Sequence, residues 1–194
     1  DSCVTTVIEG LRMVSPQTDF DFFPFATNLR TMEMSRVLQA KDRARKADLA
    51  IVVVGENSMR YMWKDKTCGE NVDRYELSLV GLQQQLVEEI YATGVPTIVV
   101  LVNGRPLGTE WIAENIPALV EAWEPGSFGG QAVAEILYGK VNPEAKLPIT
   151  IPRSAGQVQT YYNHKQTSKW FPYGTGKSTC LLYTSPSPRD MRRS

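Results

Sequence analysis

The run Leu49-Ala-Ile-Val-Val-Val54 constrains the fold more than any other stretch of this chain. Its β-branched residues are contiguous. A strand built from them is apolar on both faces, as in a parallel sheet covered on each side. The run ends at Gly55-Glu56, and a polar stretch from Asn57 to Thr67 follows, carrying Arg60, Tyr61, Trp63, Lys64 and Asp65. It closes on Cys68-Gly-Glu-Asn-Val-Asp-Arg74, just ahead of Leu77-Ser-Leu79. A loop of more than about a dozen residues at a strand end exceeds what a connection needs and points to function. Open α/β sheets bind ligands beyond the carboxyl ends of their strands. The chemistry is therefore expected between Glu56 and Arg74.

The rest of the chain supplies the layers around that strand. Val4, Val7, Ile8 and Leu11 have helical spacing, which predicts an amphipathic helix over residues 2–14, broken by Ser15-Pro-Gln17. Asp19-Phe-Asp-Phe-Phe23 alternates polar and apolar and predicts a half-buried strand. A second helix is predicted over residues 31–46, with Met34, Val37, Leu38 and Ala44 facing the core. Its basic end, Lys41, Arg43, Arg45 and Lys46, suits a helix C-terminus and a solvated face. Beyond the loop, Leu79, Leu82, Leu86, Val87 and Ile90 predict a helix that stops near Gly94. Residues 96–102 read as a second buried strand ending in the turn Asn103-Gly-Arg-Pro106. A short helix over 109–115, a third strand over 118–123 and a helix over 131–138 follow. The prolines of the 146–152 segment predict an edge strand. Strand and helix alternate, so the class is α/β with a mostly parallel sheet.

Length makes one domain the default. Residues 1–153 carry the periodicity, 154–177 read as an extended linker, and 178–194 as a disordered or artefactual tail. The tail ends Ser185-Pro-Ser-Pro-Arg-Asp-Met-Arg-Arg-Ser194, which has little to bury and resembles translated cloning sequence. The abrupt start at Asp1, without an initiator Met, leads us to expect a fragment. The chain holds 21 basic and 21 acidic residues, a balance that gives no support for nucleic acid or an anionic membrane as partner. No apolar run approaches the ~18 residues of a membrane span. Cys3, Cys68 and Cys180 have no metal-ligand spacing, and His164, the single histidine, has no second ligand near it. Neither a metal nor a cofactor is expected.

Four candidates compete for the chemistry. Gly126-Ser-Phe-Gly-Gly130 lies between a strand and a helix, where phosphate loops lie, but it is an incomplete dinucleotide fingerprint and reads first as a tight turn. Gly174-Thr-Gly-Lys-Ser178 lacks the leading glycine of a P-loop, since Phe171 stands there. A Ser-His-Asp triad would have to use His164, and no G-x-S-x-G elbow exists. Glu70 is the sharper case: Gly69 lets the backbone turn and project its carboxylate from the loop. Its simplest reading is a solvated side chain, paired with Lys66 or Arg74. Asp73 reads as a cap or turn residue and Arg74 as an ion-pair partner.

Taken together, the runs at residues 47–56, 69–74 with 77–79, 83–86, 100–106, 121–126, 129–139, 141–143 and 146–152 resemble, in order, the C-terminal α/β domain of family 3 glycoside hydrolases, the β-glucosidase and β-xylosidase type. The resemblance covers roughly Val4 to Lys165 and implies a three-layer αβα sandwich, incomplete at the N-terminus. It implies retaining hydrolysis of β-glycosides at non-reducing ends. It also implies a division of labour in which a (β/α)8 barrel, absent here, supplies an aspartate nucleophile and this domain supplies the general acid/base. The carboxylate matching the family's Gly-Glu-x-x-Asp-Arg pattern is Glu70, with Glu56 as the weaker alternative. Tyr61 and Trp63 are candidates for an aglycone wall, or simply pack the loop down. The two catalytic carboxyls of a retaining enzyme stand about 5–5.5 Å apart, and an acid in this role works with a raised pKa. The expected partner is a β-linked oligosaccharide or glycoside, and an extracellular or periplasmic location is favoured. The pattern breaks at Phe171-Pro-Tyr-Gly-Thr-Gly-Lys-Ser178, ahead of the tail. The chain alone is expected to be inactive on aryl glycosides. A non-catalytic carbohydrate-binding or interaction module is the alternative from another class, and a nucleotide-binding domain using Gly126 to Gly130 ranks third.

Overall fold

The computed structural model describes residues 3–26, 28–58, 64–145, 147–149 and 151–157. Three parallel strands, β1 (Ala50–Gly55), β2 (Thr97–Val102) and β3 (Ala118–Glu121), lie in the order β1-β2-β3. The register sets Val52 beside Val99, Val54 beside Leu101, and Val99 beside Leu119. The ladder runs past the strand ends: the Glu56 amide donates to Val102 O at 2.9 Å, and the Asn103 amide to Trp123 O at 3.2 Å. The carboxyl ends of all three strands therefore form one crest, and each strand delivers a polar side chain to it: Glu56, Asn103 and Glu121.

Among the described residues, five α-helices accompany the sheet: α1 (Val7–Val14), α2 (Met34–Ala44), α3 (Gln83–Tyr91), α4 (Glu110–Asn115) and α5 (Gly129–Leu137). The period of two along a strand sends Val52, Val54, Val99 and Leu101 to one face. There they pack with Ala40 and Ala44 of α2, Leu86, Val87 and Ile90 of α3, and Ile112 of α4. On the opposite face Val100 of the central strand is fully buried, but Val53 of β1 is 45% exposed. The expectation that β1 is covered on both faces is thus met at the centre of the sheet and not at β1 itself, an edge strand among the described residues. The α/β sandwich class holds.

Several elements differ from the sequence expectation. The first helix starts at Val7, not residue 2, because Thr6 and Glu9 form a capping box: Thr6 Oγ1 accepts from the Glu9 amide at 3.3 Å and Glu9 Oε2 accepts from the Thr6 amide at 2.8 Å. Residues 19–23 form no strand. Asp21 pairs with Arg43, and the Phe23 ring lies under the guanidiniums of Arg36 and Arg43, 4.2 and 4.9 Å from its centroid. Their alternation fits the surface of α2 rather than a sheet edge. In α2 itself the buried stripe is Val37, Ala40 and Ala44, while Met34 and Leu38 are exposed. Small alanines let the helix approach the sheet closely, which leaves the longer side chains at its flanks.

The described residues of 146–152 form no strand either. Pro148 and Pro152 lack ladder donors, and β3 offers only four residues for pairing. Ile151 is instead buried, and Arg153 pairs with Glu110 and Glu114 of α4. One polar core residue was not foreseen. Gln83, 2% exposed, docks its amide on Gly55: Oε1 accepts from Gly55 N at 2.8 Å and Nε2 donates to Gly55 O at 2.8 Å. The first residue of α3 thereby fixes the end of β1.

Candidate functional site

Two carboxylates bracket the loop beyond β1, and the fold gives them opposite surroundings. Glu56 follows β1 directly, and its side chain is 0% exposed. Arg74 Nη1 lies 2.6 Å from its Oε1, and Arg105 Nε lies 3.2 Å from its Oε2. Arg74 also donates through Nη2 to Ser78 O at 2.5 Å, and Arg105 through Nη2 to Val72 O at 3.2 Å. Glu56 thus joins the strand end, the return of the loop and the connection after β2. A carboxylate so enclosed is an anchor. The Arg74 expected as an ion-pair partner is one, but of Glu56.

Glu70 stands at the other end of the loop. The loop mouth is closed by Asn57 and Thr67: the Asn57 amide donates to Thr67 Oγ1 at 2.7 Å, and the Thr67 amide to Asn57 O at 2.8 Å. Tyr61 and Trp63 lie outside the described residues, as does His164. After Cys68 the backbone turns through two left-handed residues, Gly69 (φ 89°) and Asn71 (φ 58°), with the Val72 amide bonded to Gly69 O at 3.2 Å. Glu70 sits between them, at the crest of the turn and exposed. Beneath it lies Lys66, 4% exposed, whose Nζ donates to the main-chain oxygen of Glu70 at 2.7 Å. The expected pairing was with the Glu70 carboxylate; the observed contact is with its backbone oxygen instead. Arg30 Nη2 donates to Lys66 O at 3.1 Å, and Asn28 Nδ2 to Asp65 Oδ1 at 2.5 Å. These anchors come from the segment ahead of α2, and nothing in the periodicity announced them.

The crest itself is polar and tightly packed. The Cys68 side chain is 1% exposed, and burial pushes its thiol pKa up, with the Glu56 carboxylate adding to the effect. Glu121 accepts from the Trp123 amide at 3.0 Å, and Asn103 Nδ2 lies 3.4 Å from its other oxygen. Burial still dominates and raises Glu121 to about 6. Asn103 Nδ2 also bonds Arg105 O at 2.8 Å, so the Asn-Gly-Arg-Pro turn positions Arg105 for Glu56. The sequence signal for that turn was present, but its arginine carried no hint of a distant partner. Among the described residues, no cluster of His, Cys, Asp or Glu could hold a metal ion.

The glycine turn before α5 is occupied by packing. The Gly130 amide bonds Thr5 O at 3.1 Å and the Gly129 amide bonds Gly126 O at 3.1 Å. A Cβ at Gly130 would fall 2.1 Å from Thr6 O. These glycines let α5 approach the α1 segment and leave no open cradle of amides for a phosphate.

A parallel α/β domain with its polar side chains gathered on the carboxyl crest, and a glutamate presented on a loop above it, is the class that fold and site define. The chain belongs to the family 3 glycosyl hydrolases: it matches their C-terminal domain over residues 2–179. It is 42% identical over 163 residues to a β-xylosidase of Formosa agariphila, covering 76% of this chain and 22% of that protein. It is 37% identical over 147 residues to a periplasmic β-glucosidase of Salmonella typhimurium, covering 76% of this chain and 18% of that protein. Among solved structures it is similar to the β-glucosidase of Listeria innocua in complex with isofagomine. The TM-score is 0.72 at 29% identity, over 91% of this chain and 23% of that one. The chain spans about a fifth of the length of these curated relatives.

Proposed function

We propose that this chain is the acid/base-bearing domain of a retaining β-glycosidase, with Glu70 as the general acid/base. The observation that carries the reading is the contrast between the two loop carboxylates. Glu56 is consumed in a buried pair of arginines, whereas Glu70 is projected outward on a left-handed turn within the Gly69-Glu-Asn-Val-Asp-Arg74 pattern. In the first half-reaction an aspartate nucleophile from a barrel domain outside this chain attacks the anomeric carbon, and Glu70 gives its proton to the leaving oxygen. In the second, Glu70 takes a proton from the water that attacks the glycosyl-enzyme. The unit that carries this role is residues 1–153. The substrate is a β-linked glycoside, with xylosides and glucosides as the first sugars to try.

The test is Glu70→Gln in the full-length protein, assayed on aryl glycosides with a good and a poor leaving group. Loss of the acid lowers kcat/KM for the poor leaving group by roughly 100- to 10,000-fold and spares that of the good one, whose kcat falls with the lost base and is restored by azide in place of the base-activated water. Equal rates for variant and parent on both substrates would remove Glu70 from the mechanism.

One observation favours a second reading, a carbohydrate-binding role without catalysis. Tyr75 is 88% exposed beside a groove of about 440 Å³ that is also lined by Asp73, Glu76, Gln84 and Gln85. An exposed ring with planar polar side chains around it suits a sugar face and its hydroxyls. That reading predicts saturable oligosaccharide binding by this chain alone, unchanged by Glu70→Gln.

A further inference from the structure

We propose that Lys66 is a positioning residue for Glu70, fixing the direction of its side chain by gripping its backbone from below. The proposal rests on the reading of Glu70 as the acid/base. Lys66 lies outside the Gly-Glu-x-x-Asp-Arg pattern and was read from sequence only as a possible partner for the Glu70 carboxylate. The structure gives it a different task. Its side chain is almost wholly buried, and its ammonium donates at 2.7 Å to the main-chain oxygen of Glu70. An ammonium taken out of water is unfavourable unless hydrogen bonds offset the loss of hydration, so this contact is a fixed part of the loop.

Gly69 is what admits the lysine. A Cβ there would stand 3.2 Å from Lys66 Cε and 3.5 Å from Nζ, and the residue has φ 89°, which side-chain-bearing residues rarely adopt. The aliphatic stem of Lys66 therefore runs under the bare backbone of Gly69 and ends on the next carbonyl. Fixing that carbonyl fixes the peptide plane after Glu70, and with it the direction in which the carboxylate projects. The grip is anchored in turn. Lys66 O is held by Arg30 at 3.1 Å, and its neighbour Asp65 by Asn28 at 2.5 Å. On the far side, Arg74 is locked on Glu56. Glu70 thus sits on a short turn held at both ends, with its side chain alone left in the open.

A proton donor must meet the leaving oxygen within hydrogen-bond reach, and a displacement of about 1 Å is worth on the order of 100-fold in rate. Lys66→Met keeps the stem and removes the grip. In the full-length protein it is expected to lower kcat/KM on a phenyl glycoside by about 10- to 100-fold while changing that on a dinitrophenyl glycoside by less than about threefold. Gly69→Ala leaves the ammonium in place but pushes the turn off it, and should give the same leaving-group split; it keeps the test alive if Lys66→Met fails to fold. Equal losses on both substrates, or no loss on either, would overturn the proposal, because a merely structural lysine lowers the active fraction without regard to the leaving group. Glu70→Gln is run alongside. A split for Glu70→Gln but not for the other two variants defeats the positioning role alone. No split for Glu70→Gln defeats the acid/base reading, and the positioning role falls with it.

Discussion

Glu56 and Glu70 are the same residue type at the two ends of one loop, and only burial tells them apart. Glu56 stands fully enclosed between two guanidiniums. Removing a buried partner leaves uncompensated charge, so Glu56→Ala should destabilise this chain by about 3–5 kcal/mol in urea unfolding, whereas Glu70→Gln should stay within about 0.5 kcal/mol of the parent. Reversed magnitudes would mean that the two carboxylates have been assigned the wrong roles. Glu121 yields a prediction in pH. Its folded-state pKa is raised from 4.5 to about 6, mainly by burial. The folded chain therefore holds this proton more tightly than the unfolded chain. The associated stability is present in full below pH 4.5, declines as pH rises through about 6, and is gone above it. For a partly solvated group the amplitude is at most about 1–2 kcal/mol. Glu121→Gln, which keeps an acceptor for the Trp123 amide, should flatten that decline in a thermal unfolding series between pH 4 and pH 7. At this scale the motif singled out Glu70 as a candidate, and no local pattern revealed the burial of Glu56. Its second arginine, Arg105, is brought in only by the crossover through α3 and β2.

Elements were legible where one periodicity decided them. The valine-rich runs became β1 and β2, and the apolar stripe after the loop became α3, which ends at Tyr91 shortly before Gly94 with φ 81°. They were not legible where periodicity fixes exposure but not partner. Phe23 lies under arginines of α2 while Phe22 stays exposed, and Ile151 is buried beside Arg153, which pairs with α4, while Ile149 stays exposed. The packing of α1 on α5 is a further case, since it depends on two glycines far apart in the chain. A Cβ at Gly10 would fall 2.2 Å from Gly130 O, and that contact is between backbones, which cannot rotate away. Gly10→Ala should therefore cost about 1–3 kcal/mol through forced separation of the helices, despite alanine's better helix propensity. Gly94→Ala, where no atom lies within 4 Å, should cost about 1–2 kcal/mol from backbone strain alone. Comparing the two variants by urea unfolding separates crowding from conformation. A stabilised Gly10→Ala would show that the helices are free to move apart.

At the scale of the whole molecule, the proposed role would leave Glu70 a proton donor without a reaction around it. Retaining hydrolysis needs a second carboxyl about 5–5.5 Å from the first, a sugar held between them, and water kept out until the glycosyl-enzyme has formed. In this chain Glu70 is at the surface, and Lys66 and Arg74 hold its loop from the inside. On the proposed reading, the arrangement fixes where the acid is and leaves the sugar pocket to whatever covers the crest. The isolated chain should therefore release dinitrophenol from β-glucosides and β-xylosides no faster than buffer does, at protein concentrations high enough to detect a residual rate. The same chain should still unfold cooperatively, because its core and its Glu56 anchor are both internal. A measurable rate would change the assignment in a defined way. If it vanished with Glu70→Gln, a nucleophile would have to lie within this chain, and Asp73, exposed and three residues beyond Glu70, would be the first carboxylate to replace. If it survived that replacement, the turnover would belong to a site other than the crest.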